Sequence, residues 1–155
     1  MTVLFPGTVT VYIPYRLLAP FSIPGPDSWS LSQYLAVIFL LIGAAILFKS
    51  IWSFALLGKG TLAPFDETQT LIVAGLYRYV RNPMYVGVIL ILLAESWFFR
   101  STTLLAYTAF CLIVANIIVI GYEENRLRYK YGDEFRHYCE HVGRWIPGKP
   151  FDPAG

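Results

Sequence analysis

Four stretches of this chain are apolar over the length of a helix, with polar segments between and after them. Residues 28–48 and 101–122 carry no charged side chain. Each run is close to the ~20 residues that a helix needs to cross the hydrocarbon of a bilayer. The pattern predicts helices over residues 3–18, 31–54, 83–99 and 103–122. The first contains Pro6 and Pro14. Proline removes a backbone donor and kinks a helix, so this segment either crosses the membrane or lies partly in its interface. Pro20, Pro24, Gly25 and Pro26 make a loop, and Ser28 or Ser30 offers a cap for the second helix. Asn82 offers a cap for the third, and Pro83 suits its first helical position. A turn at residues 100–102 makes the third and fourth helices an antiparallel hairpin. Residues 123–141 then read as an amphipathic helix, with Leu127, Tyr131, Phe135 and Tyr138 at helical spacing and Gly132 as a candidate break.

Composition agrees with the pattern. Apolar residues make up 56% of the chain and charged residues 14%, where a soluble domain carries about 25% charge. The expected fold is therefore all-α: one polytopic membrane domain over residues 1–155, with about four transmembrane helices and a cytoplasmic amphipathic C-terminal helix. The net charge of +2 gives no reason to expect nucleic acid. No Lys or Arg precedes the first apolar stretch, so it does not read as a cleavable signal peptide. Cys111 and Cys139 make no disulfide framework. Charge placement sets the orientation. Lys59, Arg78, Arg81, Arg126, Arg128, Lys130, Arg136, Arg144 and Lys149 all fall on one side if both ends are cytoplasmic, and Arg100 falls on the other. The same arrangement puts Arg81 and Glu123 on the cytoplasmic face.

Two stretches carry candidate chemistry. Residues 75–87, GLYRYVRNPMYVG, interleave aromatics and glycines around a helix start. Unpaired N–H groups and the positive end of the helix dipole favour an anion there, and Arg81 adds a full charge. The plain alternative is interfacial anchoring by basic and aromatic residues. The second stretch is Glu123-Glu124-Asn125-Arg126-Leu127. Adjacent carboxylates at the mouth of a span are costly unless paired or solvated. Successive helical residues diverge by about 100°, so one carboxylate can face a site while the other pairs with a basic residue, Arg126 or Arg128 being the local candidates. Glu95 is about 18 Å along the helix from Pro83, toward the far face, where it pairs with Arg100 or lines an outer cavity. His137 and His141 share a helix face, but Cys139 points elsewhere, and no metal site is expected.

Together the two stretches resemble the signature of the isoprenylcysteine carboxyl methyltransferase and phospholipid methyltransferase superfamily. The resemblance rests on Leu71-Ile72-Val73-x-Gly75-x-Tyr77-x-x-x-Arg81-Asn82-Pro83-x-Tyr85-x-Gly87 and on Glu123-Glu124-x-x-Leu127. It extends through Tyr131-Gly132-x-x-Phe135-x-x-Tyr138 and Val142-x-Arg144-Trp145-x-Pro147, and covers residues 60–147. It implies an S-adenosylmethionine site at the cytoplasmic face. Gln69, Leu71, Ile72, Tyr77, Asn82, Pro83, Met84, Tyr85 and Glu123 would touch the cofactor, and Arg81, Tyr85 and Glu123 would serve the reaction. Tyr77 and Tyr85 offer faces for adenine or the sulfonium. Glu123 can accept from ribose hydroxyls or pair with the amino group, and Arg81 suits the carboxylate.

Two departures bear on the acceptor. Asn82 stands where prenylcysteine enzymes carry His, and their substrate-associated Arg falls at Val119. The acceptor implied is a lipophilic small molecule, lipid or lipidated group, receiving the methyl on a carboxylate or an amine. A carboxylate needs no base, whereas an amine must lose a proton. Two other readings stand beside this one: an NADPH-dependent membrane reductase of related fold, for which the short loops leave little surface, and a non-catalytic membrane scaffold.

Overall fold

In the computed structural model, residues 4–18, 29–57, 71 and 73–151 are described. The longest uninterrupted α-helix, α3 (Leu31–Leu57), starts where the sequence offers a cap. Gln33 reaches back and accepts from the Ser30 N–H at 2.8 Å, while the Ser30 carbonyl accepts from the Gln33 N–H at 2.9 Å. This satisfies a donor that a helix start leaves orphaned. Ser28 lies outside the described residues. Leu35, Ile38, Phe39, Leu41, Ile42, Phe48 and Trp52 all stand exposed around α3. A core helix of a soluble protein would have these covered; an apolar surface all round suits lipid.

The N-terminal segment is helical through both prolines. Short turns α1 (Leu4–Gly7) and α2 (Ile13–Leu18) flank a π-helical turn at Thr8–Tyr12. The widened turn accommodates what proline removes. In a π turn the Val9 carbonyl would accept from residue 14, which is proline and has no N–H. Instead the Tyr107 hydroxyl donates to it at 3.3 Å, and the Thr10 hydroxyl donates to the Pro6 carbonyl at 2.7 Å.

Helix α4 (Pro83–Phe98) lies between α3 and α5 (Thr102–Ile118). Its contact with α3 depends on two glycines. A Cβ on Gly87 would sit 2.8 Å from the Leu47 backbone nitrogen, and one on Gly43 would sit 3.0 Å from the Ile91 nitrogen. No side chain fits between the two backbones there, so the helices approach closely. Between α4 and α5, Ser96 and Thr108 hydroxyls meet at 3.2 Å. The turn joining them closes in three residues. Arg100 adopts φ 50°, its N–H donates to Trp97 O at 3.2 Å, and the Ser101 N–H donates to Ser96 O at 3.1 Å. That pair of bonds is a Schellman closure. Ser101 then caps α5 by accepting from the Leu104 N–H at 3.3 Å.

After α5 the chain stays helical through a π turn at Val119–Glu123 into α6 (Glu124–His141). The extra residue in that turn shifts the phase of everything after it by about 100°. Gly132, at φ 52° and ψ −121°, breaks α6 where the sequence placed a break, in a conformation open mainly to glycine. Phe135, Tyr138 and Val142 are buried, with Leu71, Val73, Leu127, Tyr131, Cys139 and Phe151 against them. The described residues form no strand, apart from an isolated bridge between Val80 and Gly143.

Two helical segments are long and apolar enough to cross a membrane, one over Leu31–Ser53 and one within Thr102–His141. The shorter α4 has 16 residues, about 24 Å of helix against a hydrocarbon core of about 30 Å.

Candidate functional site

The site grows from the place where α4 begins and the α5–π–α6 rod leaves its apolar stretch. Before α4, a 3-10 turn at Gly75–Arg78 turns the chain back toward α6. Gly75 makes this turn at φ 58°, a conformation that side chains other than glycine's resist. The turn leaves Tyr77 half-buried, and residues 80–82 lead without helical structure into Pro83. Asn82 occupies the cap position of α4, but its side chain makes no capping bond. Its amide nitrogen donates to the Arg144 carbonyl at 3.2 Å instead. The expected cap is thus corrected: a tertiary acceptor takes the side chain, and Pro83 at the first helical position needs no donor satisfied.

The segment after α6 forms a strap over residues 142–151. Arg81 N–H donates to Gly143 O at 2.9 Å, Gly148 N–H to Tyr79 O at 2.9 Å, and Phe151 N–H to Arg78 O at 2.9 Å. Arg78 Nε returns a bond to Phe151 O at 2.8 Å. Trp145 donates to the Asn116 side chain at 3.0 Å, tying the strap to α5, and stands edge-on to Tyr85 with ring centres 6.2 Å apart. The strap therefore pins the segment that carries Arg81 and Asn82.

The two adjacent carboxylates divide as their helical angles require. Glu123 accepts from the Tyr85 hydroxyl at 2.7 Å. Glu124 turns to the other side and pairs with two guanidiniums. Arg144 approaches it through Nε at 2.6 Å and Nη2 at 2.8 Å, and Arg81 Nη1 lies 3.1 Å from the same carboxylate. The contacts come not from the local candidates Arg126 and Arg128 but from residues distant in sequence, with Arg144 meeting the carboxylate on two atoms. Burial pushes the Glu124 carboxyl up, but the Arg144 hydrogen bond and the Arg81 and Arg144 charges outweigh it, holding the group below its usual 4.5. Arg81 also donates to Cys139 Sγ at 2.8 Å. Burial pushes the Cys139 thiol up despite that cation, so the neutral thiol is favoured there. Tyr138 donates to the Tyr77 carbonyl. Burial, followed by the Glu123 charge, raises the Tyr77 hydroxyl to about 12, so it stays a neutral phenol.

These groups enclose a cavity of about 130 Å³, walled among others by Leu71, Tyr77, Arg81, Asn82, Val119 and Glu123. Glu124, Leu127, Tyr131, Phe135 and Tyr138 complete its described lining. Small-molecule sites usually exceed about 300 Å³, so this space suits part of such a ligand. Arg81 Nε is buried with no hydrogen-bond partner among the described residues. An unsatisfied donor on a buried guanidinium is costly, and an anionic group in the cavity would relieve it.

Most of the expected site residues gather here. Leu71, Tyr77, Arg81, Asn82 and Glu123 line the cavity, and Tyr85 reaches it through Glu123. Pro83 is buried at the head of α4, and neither it nor Met84 belongs to the described lining. Gln69 and Ile72 lie outside the described residues. Arg144 and Trp145 had no role assigned from sequence, although each falls in the motif that carries the resemblance; Glu124 pairs with a basic residue as expected, but with Arg144 and Arg81. Two-point pairing by Arg144 depends on the strap folding back, which helical spacing does not encode. The pairing of Glu95 with Arg100 is not observed. Glu95 Oε2 is buried without a partner, and Arg100 bonds the Ser30 hydroxyl at 3.3 Å.

An uncharacterized protein of Haemophilus influenzae is 41% identical over 64 residues, which cover 41% of this chain and 100% of that protein. No solved structure matches the chain significantly. The profile of the phospholipid methyltransferase family matches residues 31–134, a span that includes α3, the hairpin, Arg81 and both carboxylates. With the apolar helices and the cavity at their polar end, this match makes the chain a member of the phospholipid methyltransferase family, a helical membrane protein of the methyltransferase class.

Proposed function

We propose that the chain transfers a methyl group from S-adenosylmethionine to a lipophilic acceptor at the cytoplasmic face of the membrane. The observation that carries this reading is the convergence of Arg81, Glu123 and Tyr77 on one cavity, with Arg81 Nε buried and unpartnered. The residues fit the donor's chemistry. Arg81 Nε would donate to its carboxylate, Glu123 would accept from its hydroxyls or amino group, and Tyr77 offers an aromatic face. Leu71, Asn82 and Tyr85 would complete the contacts, with Gln69, Ile72, Pro83 and Met84 carried over from the family motif. When bound, the donor supplies an electrophilic methyl group on a sulfonium.

The protein's own contribution is alignment and exclusion of water. The Tyr85 hydroxyl holds Glu123 in place, and the Arg81–Glu124–Arg144 cluster holds Arg81. Val119, fully buried, presents an apolar wall where prenylcysteine enzymes carry Arg. That favours an acceptor other than a prenylcysteine carboxylate and leaves O- and N-methylation both chemically open. Four spans with both ends inside would let such an acceptor reach the cavity from the bilayer, and the one-sided placement of Lys and Arg supports that orientation.

The test is a titration of purified, detergent-solubilised protein with S-adenosylhomocysteine and, separately, with NADPH. Saturable binding of the first alone, weakened about tenfold in Glu123→Ala by loss of a charged hydrogen-bond acceptor, supports the proposal. Binding of NADPH alone would make the chain a reductase, and binding of neither would make it a scaffold. Incubating membranes with labelled methyl donor then identifies the acceptor, base-labile label marking an ester.

A further inference from the structure

Three metal-ligating side chains meet on the solvent side of α6, remote from the roles assigned above. His137, Glu140 and His141 are all exposed, and their donor atoms lie within 4.8 Å of one another. Histidines four residues apart stand one above the other on a helix face, and their rings here are 4.4 Å apart between centres. Glu140 adds a carboxylate to the pair. Cys139, the donor that sequence reasoning weighed, instead turns inward to Arg81 at 2.8 Å. The third donor is therefore its neighbour.

We propose that His137, Glu140 and His141 form a surface site for a divalent cation of borderline softness, of the zinc class, completed by solvent.

Two features of the surroundings support it. His141 Nδ1 lies 2.9 Å from the His137 carbonyl oxygen. A ring nitrogen facing a carbonyl is the protonated one, which leaves the Nε2 lone pair available for a metal. Ligating histidines are commonly oriented by such a bond. Phe151 packs against both rings, 5.4 Å from each, and limits how far they can swing. The competing contact is weak. Arg136 approaches Glu140 at 4.0 Å between exposed side chains, and exposed pairs of that kind contribute little. Zinc holds imidazole nitrogen and carboxylate oxygen at about 2.0–2.2 Å. Drawing the three donors onto one ion thus needs only small rotations of exposed side chains.

The site also has a structural consequence. Phe151 is the residue whose backbone exchanges two hydrogen bonds with Arg78. A cation fixing the rings beneath Phe151 would brace the strap that pins residues 78–82.

The experiment uses tag-free protein in detergent, stripped with chelator and titrated with Zn²⁺ by calorimetry, with thermal unfolding recorded in parallel. The expected result is one saturable site of micromolar affinity and a rise in unfolding temperature on loading, since a ligand bound only to the native state stabilises it. His137→Ala and His141→Ala should each weaken binding at least about tenfold, Glu140→Gln should weaken it less, and Cys139→Ser should leave it unchanged. Circular dichroism of the apo variants should match that of the parent chain, which separates loss of metal binding from loss of the helix. No saturable binding below about 100 μM, or binding that survives both histidine substitutions or disappears with Cys139→Ser, would overturn the proposal.

Discussion

The two ends of the α4–α5 hairpin each hold a carboxylate, and they treat it in opposite ways. At the strap end, Glu124 receives three short contacts from Arg144 and Arg81. At the turn end, Glu95 has one oxygen buried with no partner. The strap end joins segments far apart in the chain: Tyr85 to Glu123, Arg81 to Cys139, Asn82 to Arg144 and Arg78 to Phe151. The turn end closes mainly through a Schellman pair and a serine cap within residues 96–105. Its distant contacts are longer, Gln33 to Phe98 at 3.5 Å and Arg100 to Ser30 at 3.3 Å. The lesson concerns where organisation is concentrated. A turn that only reverses the chain can be made from neighbours, whereas a site that orients charge needs partners brought in from elsewhere.

Substitutions at the two ends should separate these roles. The largest effect belongs to Glu124→Ala, which strands two partly buried guanidiniums. Breaking such a pair costs about 3 kcal/mol, seen as a lower thermal midpoint in detergent. Its pH dependence has a definite sign. Because the folded carboxyl lies below its usual 4.5, its stabilisation is fully present above that value and is lost as pH falls through the lower folded value. Glu124→Ala should therefore unfold with less dependence on acid in that window than the parent chain does. If both proteins respond equally to acid, the pairing is not what holds the strap end.

Between the two ends, Gly87→Ala tests the helix crossing that fixes where α4 begins. The new methyl would meet backbone at 2.8 Å, an overpacking cost of about 2–3 kcal/mol. Better helix propensity offsets about 1 kcal/mol of that. A net loss should show in denaturant or thermal unfolding, and a gain would mean that α3 and α4 separate easily. At the turn end, Ser101→Ala removes a cap and should cost about 1 kcal/mol, with S-adenosylhomocysteine affinity unchanged. The smallest effect is expected from Glu95→Gln, at about 0.5 kcal/mol or less, since no partner is lost. A large loss of stability there would give Glu95 a hidden role and erase the contrast between the ends.

Much of this architecture can be read along the chain. Helix α3 follows from an uncharged apolar run with Ser30 before it, and the break in α6 follows from Gly132. That Glu123 and Glu124 face different partners follows from helical geometry, because adjacent side chains must point apart, while the resemblance implied that Glu123 is the one at the site. The gathering of Leu71, Tyr77, Arg81, Asn82 and Glu123 was anticipated from the motif resemblance. The cap at Asn82 and the Glu95–Arg100 pair were not obtained, since both expectations used local spacing, whereas Asn82 and Arg100 bond more distant neighbours.

What the amino-acid order determined by itself was therefore whatever depends on near neighbours: apolar helices long enough for a bilayer, their starts and breaks, and two polar stretches rich in candidate chemistry. Only the tertiary structure decided that Arg144 rather than Arg126 or Arg128 holds Glu124, that the strap crosses residues 78–82, and that Arg81 lines the cavity with its Nε buried and unpartnered among the described residues. The reason is physical. Helical periodicity repeats every few residues and is written locally, whereas a charge taken out of water is stabilised by whichever partner the whole fold brings within hydrogen-bond distance.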